Sequence, residues 1–550
     1  MLGLKNKKNT INIVIDMIIC LLLIGICFIP ELVSNKPHIY FYLMPIKDWI
    51  GGKHILVDSF SQYGIFLFYF LGFIFKYIIP LTFYNFYFLT QGLVVIQYMM
   101  IYCILRLVLR SQWKSIISIC FVIAAHLFWT NSHSDFILFF PSQGPLRFML
   151  PIIYLFFLSI RNRNNTITIP WASYFLLGIS SIWSLETFIY TISGHIGFIL
   201  YKSIQNKETA IKINKQMLLN LLLKTILWIL FCQISLFILI YIESGKPPNL
   251  IPYLQYIFMY SSGRITLPFT LWGKYGQVFP LIVAIYFTSI TLIGYYICTD
   301  KQNIKPHWFA VVLVCNGISQ FTYFVAISSD STLAYCSIPA ILLVIYWVNH
   351  VYSRQLCNKI NQPLKQSLNF SIGIAIILIC ISTGKQISKK WDSTLFGYLL
   401  KIKTNPLQQL NKNYIKNESQ NGNLEPLYNS ELAKLIQFLK HHHAQKRICI
   451  FLPYKKNGSW FSDIRMNSEY SHRFSITLVE QDEMIKSNLK RVLKEVNELQ
   501  IGDSVWITPN KKLLRTFQLK IVNEIERIFN LEFEVSNKQI NKYKIISKKI

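Results

Sequence analysis

The chain has 550 residues, of which 53% are hydrophobic and 15% charged, and its formal net charge is +29. Soluble chains carry about 25% charged residues, so this composition, with a mean hydropathy of +0.37, excludes an ordinary water-soluble domain. It does not mark a nucleic-acid binder either: many basic residues sit in short loops between apolar runs, and the rest lie largely among acids in the C-terminal region, with no stacking pattern of aromatics.

A basic head with Lys5, Lys7 and Lys8 precedes the first apolar run, residues 11–30. The run is long, lacks a small-residue cleavage site and leads into further apolar runs, so it reads as a retained signal-anchor helix. Runs of spanning character follow at roughly 83–106, 115–131, 147–160, 169–185, 187–203, 217–243, 277–298, 307–328, 334–351 and 368–384. About 20 apolar residues cross a hydrocarbon core of roughly 30 Å. The expected fold class is therefore an α-helical polytopic membrane protein with eleven spans in this reading.

The segment 63–80 is apolar and rich in aromatic rings, which suits a helix lying in the interface. Leaving it unspanned places 17 Lys and Arg on the inner loops and eight on the outer loops before the tail, as the positive-inside rule requires. The N-terminus is then cytoplasmic, the tail is extracytoplasmic, and the expected location is a bacterial inner membrane.

The expected domains are a membrane domain at 1–384 with its first outer loop at 31–82, a linker at 385–430, and a small α/β domain at 431–550. Strands are predicted at 446–453, 503–509 and 533–546, and helices at 431–440, 482–499 and 511–529. Ten of the eleven cysteines lie in or beside the apolar runs, with Cys449 the exception, so no disulfide framework is indicated. His441, His442 and His443 are successive on a predicted helix, where side chains diverge by about 100°, and read as a solvated helix end rather than a metal site.

Nucleotide-binding, metalloprotease and nucleophile-elbow motifs are missing from the chain. The residues that could carry chemistry gather on the outer face. Asp48 and Asp58 flank WIGGKHILV, where Gly51 and Gly52 permit a tight turn that could return both carboxylates to one site. Asp48 could equally pair with Lys47 or Lys53, and Asp58 could cap a helix starting near Ser59. Arg147 closes PSQGPLR at the start of a span, the height of a lipid phosphate and also of a snorkelling anchor. Glu186 falls at an outer turn between two apolar runs. His38 and Asp135 are supporting polar groups, and Arg264 and Lys274 are outer-loop cations.

A basic N-terminus, one span, and an outer loop reading H…FYL.P..D...G…LVD.F.QYG resemble membrane glycosyltransferases of the C fold. The closer resemblance is to bacterial relatives of protein mannosyltransferases and aminoarabinose transferases. That family's early acidic pair falls here on His38-Ile39, so the base role passes to Asp48 or Asp58. The resemblance implies sugar transfer from a polyprenyl-phosphate-linked donor to a glycan, lipid or protein acceptor, with inversion at the anomeric carbon. Arg147, helped by Arg264 or Lys274, would hold the leaving phosphate, and the segment 63–80 would help to form the groove for the lipid tail. No cofactor is named by the sequence, and a divalent cation stays open. Two other classes remain: a surface-polysaccharide polymerase or ligase, and a non-catalytic transporter or scaffold. Against transport, the two halves of the chain show no paired broken spans.

Overall fold

The computed structural model describes residues 2–29, 36–58, 63–128, 144–162, 169–204, 215–251, 279–299, 307–326, 330–354 and 394–401, and in the tail 448–451, 504–507, 525–537 and 540–549, with a few isolated positions between them. The predicted span at 368–384, most of the linker at 385–430, the histidine run, and the predicted helices at 431–440 and 482–499 lie outside these residues.

Thirteen helices are described. They are α1 (Leu2–Cys27), α2 (Lys36–Ile50), α3 (Phe66–Tyr77), α4 (Phe83–Leu109), α5 (Gln112–Ile123), α6 (Pro145–Arg161), α7 (Trp171–Trp183), α8 (Leu185–Ile204), α9 (Lys215–Ser244), α10 (Phe279–Thr299), α11 (Trp308–Ala326), α12 (Asp330–Arg354) and α13 (Leu395–Lys401). A π-helical turn, Ala124–Phe128, continues α5. Five of the described helices are long and apolar enough to cross a membrane, within α4, α9, α10, α11 and α12. Large apolar side chains stand exposed on α9 (Leu219, Leu223, Ile242) and on α10 (Leu281, Phe287). Such unbroken apolar surface belongs against lipid chains, and the chain is a helical membrane protein.

The chain divides into two compact units. The first comprises Met1–Val33, Tyr87–Leu239 and Ile265–Pro406. Its core is built from α4, α5, α6, α8, α11 and α12. Close approach depends on small residues, as expected where lipid offers no hydrophobic drive between helices. A Cβ on Gly178 of α7 would lie 2.8 Å from the Trp228 carbonyl oxygen of α9, and one on Gly197 of α8 would lie 2.5 Å from Cys315 Sγ of α11. Polar groups inside this unit find partners. His195 joins Tyr154 (2.8 Å) to Thr225 (2.7 Å). Asp16 of α1 accepts from Tyr102, Arg106 and Gln112, which ties the first helix to α4 and α5.

The second unit comprises Ser34–Phe86, Ile240–Arg264 and Leu407–Ile550. The segment read from sequence as an interfacial helix is α3, whose 12 residues extend about 18 Å at 1.5 Å per residue, too short to span. Leu67, Phe68, Leu71 and Phe75 are buried, while Phe70, Phe73 and Tyr77 form an exposed stripe. Trp49 of α2 lies over Gly72 of α3. Helix α2 itself is an addition: within the first outer loop, sequence reading placed an interfacial helix at 63–80 and named none at 36–50.

The tail sheet has strands β1 (Ile448–Phe451), β2 (Ser504–Ile507), β3 (Phe529–Asn537) and β4 (Ile540–Lys548) in the order β1-β2-β4-β3. β1 and β2 are parallel, and the other pairings are antiparallel. The sequence reading is corrected here. Residues 533–546 are not one strand, because β3 and β4 turn back on each other as a hairpin. Ile545 of β4 is buried, as are Val522, Ile525 and Phe529.

Candidate active site

The first acidic residue sits at a helix end whose geometry the sequence specifies. Helix α2 stops in a Schellman motif: the Lys53 amide donates to the Asp48 carbonyl at 2.9 Å, and the Gly52 amide donates to that of Trp49 at 3.0 Å. The motif needs a left-handed residue just beyond the helix, and Gly52 takes it with φ of +86°. The tight turn expected from Gly51-Gly52 is therefore present. Asp48 is 4% exposed, and its Oδ1 lies 3.6 Å from Lys53 Nζ.

Asp58 closes the same turn from the other side. Its Oδ2 accepts the His54 amide at 3.1 Å, and its own amide donates to the His54 carbonyl at 2.9 Å. The expectation that Asp58 caps a helix near Ser59 gives way to this reciprocal bond across the turn, since α3 begins only at Phe66. The two aspartates are thus held by consecutive residues, Lys53 and His54. Between them Leu56 is buried in the left-handed region, φ +69°, which costs a non-glycine residue about 1–2 kcal/mol.

Residues from a distant part of the chain complete this cluster. The Asn249 amide donates to the Leu56 carbonyl at 2.8 Å. Glu243, in the last turn of α9, places Oε2 3.8 Å from His54 Nδ1. Burial, followed by the charges of Glu243 and Asp58, pushes the Tyr69 phenol up from its ordinary range. Sequence reading assigned no partner to Glu243 and no role to His54 or Tyr69. The signal available was the position of His54 between the two aspartates, but its partner lies 189 residues away.

The first unit holds a separate charged site. Arg147, in the first turn of α6, is 6% exposed, and its Nη2 donates to Glu186 Oε1 at 3.2 Å. The guanidinium lies 4.5 Å from the centroid of the Tyr323 ring, a cation–π arrangement. Ser184 is extended between α7 and α8, and the Thr187 hydroxyl fixes the Arg147 carbonyl at 2.9 Å. Phe148 stacks between Tyr190 and Tyr335 at 5.5 and 5.7 Å. Arg147 and Glu186, expected separately, are one ion pair. Glu186 Oε2 is buried with no hydrogen-bond partner among the described residues.

Of the remaining expected residues, His38 lies on α2, and Asp135, Arg264 and Lys274 lie outside the described residues. No group of three or more metal-ligating side chains occurs among the described residues.

A scan against protein-family models finds no match, and a search of curated proteins finds no relative. Among solved structures the chain is similar to ArnT from Cupriavidus metallidurans bound to undecaprenyl phosphate, at 10% identity and a TM-score of 0.47, over 96% of this chain and 97% of that one. It is also similar to the archaeal oligosaccharyltransferase AglB from Archaeoglobus fulgidus in complex with an inhibitory peptide and a dolichol-phosphate, at 13% identity and a TM-score of 0.43, over 98% of this chain and 74% of that one. At TM-scores below 0.5 neither likeness assigns this chain a substrate or a site.

Proposed function

We propose that this chain is an integral-membrane glycosyltransferase. It would move a sugar from a polyprenyl-phosphate-linked donor to a glycan, lipid or protein acceptor on the outer face of a bacterial inner membrane. The observation that carries the reading is the acidic turn between α2 and α3, in which consecutive residues hold Asp48 and Asp58. In this reading one of the two carboxylates takes the proton of the acceptor hydroxyl. The acceptor oxygen bonds to the anomeric carbon from the face opposite the phosphate, the carbon–oxygen bond to phosphate breaks, and the configuration inverts.

Both carboxylates are candidates for the base, Asp48 beside Lys53 and Asp58 on the His54 amide. For the leaving phosphate we assign Arg147, a charge-assisted donor of the kind that binds phosphate well, with Arg264 and Lys274 as further cations. Glu186 holds the guanidinium in place, and His38 and Asp135 support. The experiment compares envelope glycans and glycolipids, by mass spectrometry, from cells with and without the chain. A sugar present only when the chain is expressed supports the reading, and identical profiles overturn it in favour of a scaffold.

A further inference from the structure

The acidic turn is held from outside itself at two points, both on the segment that follows the body of α9. Leu56 occupies a conformation that a leucine keeps only where its surroundings over-determine it, and the Asn249 amide fixes its carbonyl. The second point is electrostatic. His54 presents a buried Nδ1 to Glu243 Oε2 at 3.8 Å, while its backbone exchanges two hydrogen bonds with Asp58. The charged and titratable groups around this contact are Glu243, Asp58 and Tyr69, with Lys53 next in sequence and Asp48 beyond it. Glu243 is set in place by its own helix end, where the Gly245 amide donates to the Tyr241 carbonyl at 2.8 Å and Gly245 takes φ of +65°.

We propose that His54 and Glu243 are positioning residues. Their contact holds the turn that carries Asp58 in the geometry used for sugar transfer, so the chemical purpose of the contact rests on the function proposed above. The end of a long apolar helix thereby sets the conformation of the acidic turn. A side-chain nitrogen that can pair with the Glu243 carboxylate is what this contact requires, rather than an imidazole ring as such.

Hydrogen–deuterium exchange of the purified full-length chain in detergent tests the contact without any assay of transfer. His54→Ala and Glu243→Gln should each speed exchange of the Val57 and Asp58 amides about threefold, the scale set by a partly exposed ion pair. The double variant should exchange no faster than either single variant, because both remove one shared interaction. His54→Lys should restore slow exchange, which a role limited to ring packing would not permit. Unchanged exchange in the single variants, additive effects in the double variant, or failure of lysine to rescue would each overturn the proposal. Envelope glycans measured in the same variants should fall in His54→Ala and recover in His54→Lys. If Asp48→Asn and Asp58→Asn both leave the glycans unchanged, the transferase reading falls, and the exchange data still decide the contact by themselves.

Discussion

The Arg147–Glu186 pair makes an unusual stability prediction. Arg147 is 6% exposed and Glu186 28%, so replacing Glu186 with leucine removes the paired carboxylate from a buried guanidinium. At 3.2 Å and an effective dielectric constant of about 20, the direct attraction is about 5 kcal/mol. Desolvation of both ions offsets much of that. Removing one member of a buried pair costs about 3–5 kcal/mol, and the partial exposure of Glu186 places the expected loss at about 2–3 kcal/mol. Replacing both ions is different, because apolar side chains of similar volume often match a buried pair. Arg147→Leu with Glu186→Leu should therefore be less destabilised than Glu186→Leu alone, by about 1 kcal/mol or more. The Tyr323 cation–π contact, about 1 kcal/mol, is lost only in the double variant and limits the recovery. Unfolding by SDS titration in mixed micelles measures all three proteins. A double variant at least as destabilised as the single one would refute the view that Glu186 serves to neutralise Arg147.

Three further outcomes are expected. Gly52→Ala places a Cβ where nothing lies within 4 Å, so its cost is the φ of +86° alone, about 1 kcal/mol. It should loosen the Asp48–Lys53 turn, read as faster exchange of the Lys53 amide, and unchanged exchange would contradict the Schellman assignment. Gly178→Ala must push α7 away from backbone atoms of α9 and should cost about 1–3 kcal/mol in SDS titration, whereas Gly92→Ala, with open space around it, should not destabilise. A cysteine introduced at Thr82 should react with a membrane-impermeant reagent applied from outside. Protection would mean that residues 63–80 span the membrane and that every later loop inverts.

Periodicity and charge placement made the membrane class legible, because about 20 consecutive apolar residues admit few other readings. The turn after α2 was legible too, since Gly52 is the residue type that a left-handed helix stop demands. Helix α2 was not, because it mixes polar groups and an internal Pro45 with its apolar residues and so shows no spanning run. The β3–β4 hairpin was read as one strand because Lys538-Gln539 carries none of the glycine or asparagine signals of a tight turn. The pairs Arg147–Glu186 and His54–Glu243 lie 39 and 189 residues apart, separations at which local pattern carries no information.

The central claim is that the acidic turn does chemistry on a sugar at the membrane. The most direct measurement is the glycan produced by Asp48→Asn and Asp58→Asn, each expressed to wild-type level in cells lacking the native chain and quantified by mass spectrometry. Loss of a general base lowers rates about 10²–10⁴-fold, so at least one variant should leave only trace modification while retaining wild-type resistance to SDS unfolding. Full modification in both variants would contradict the account.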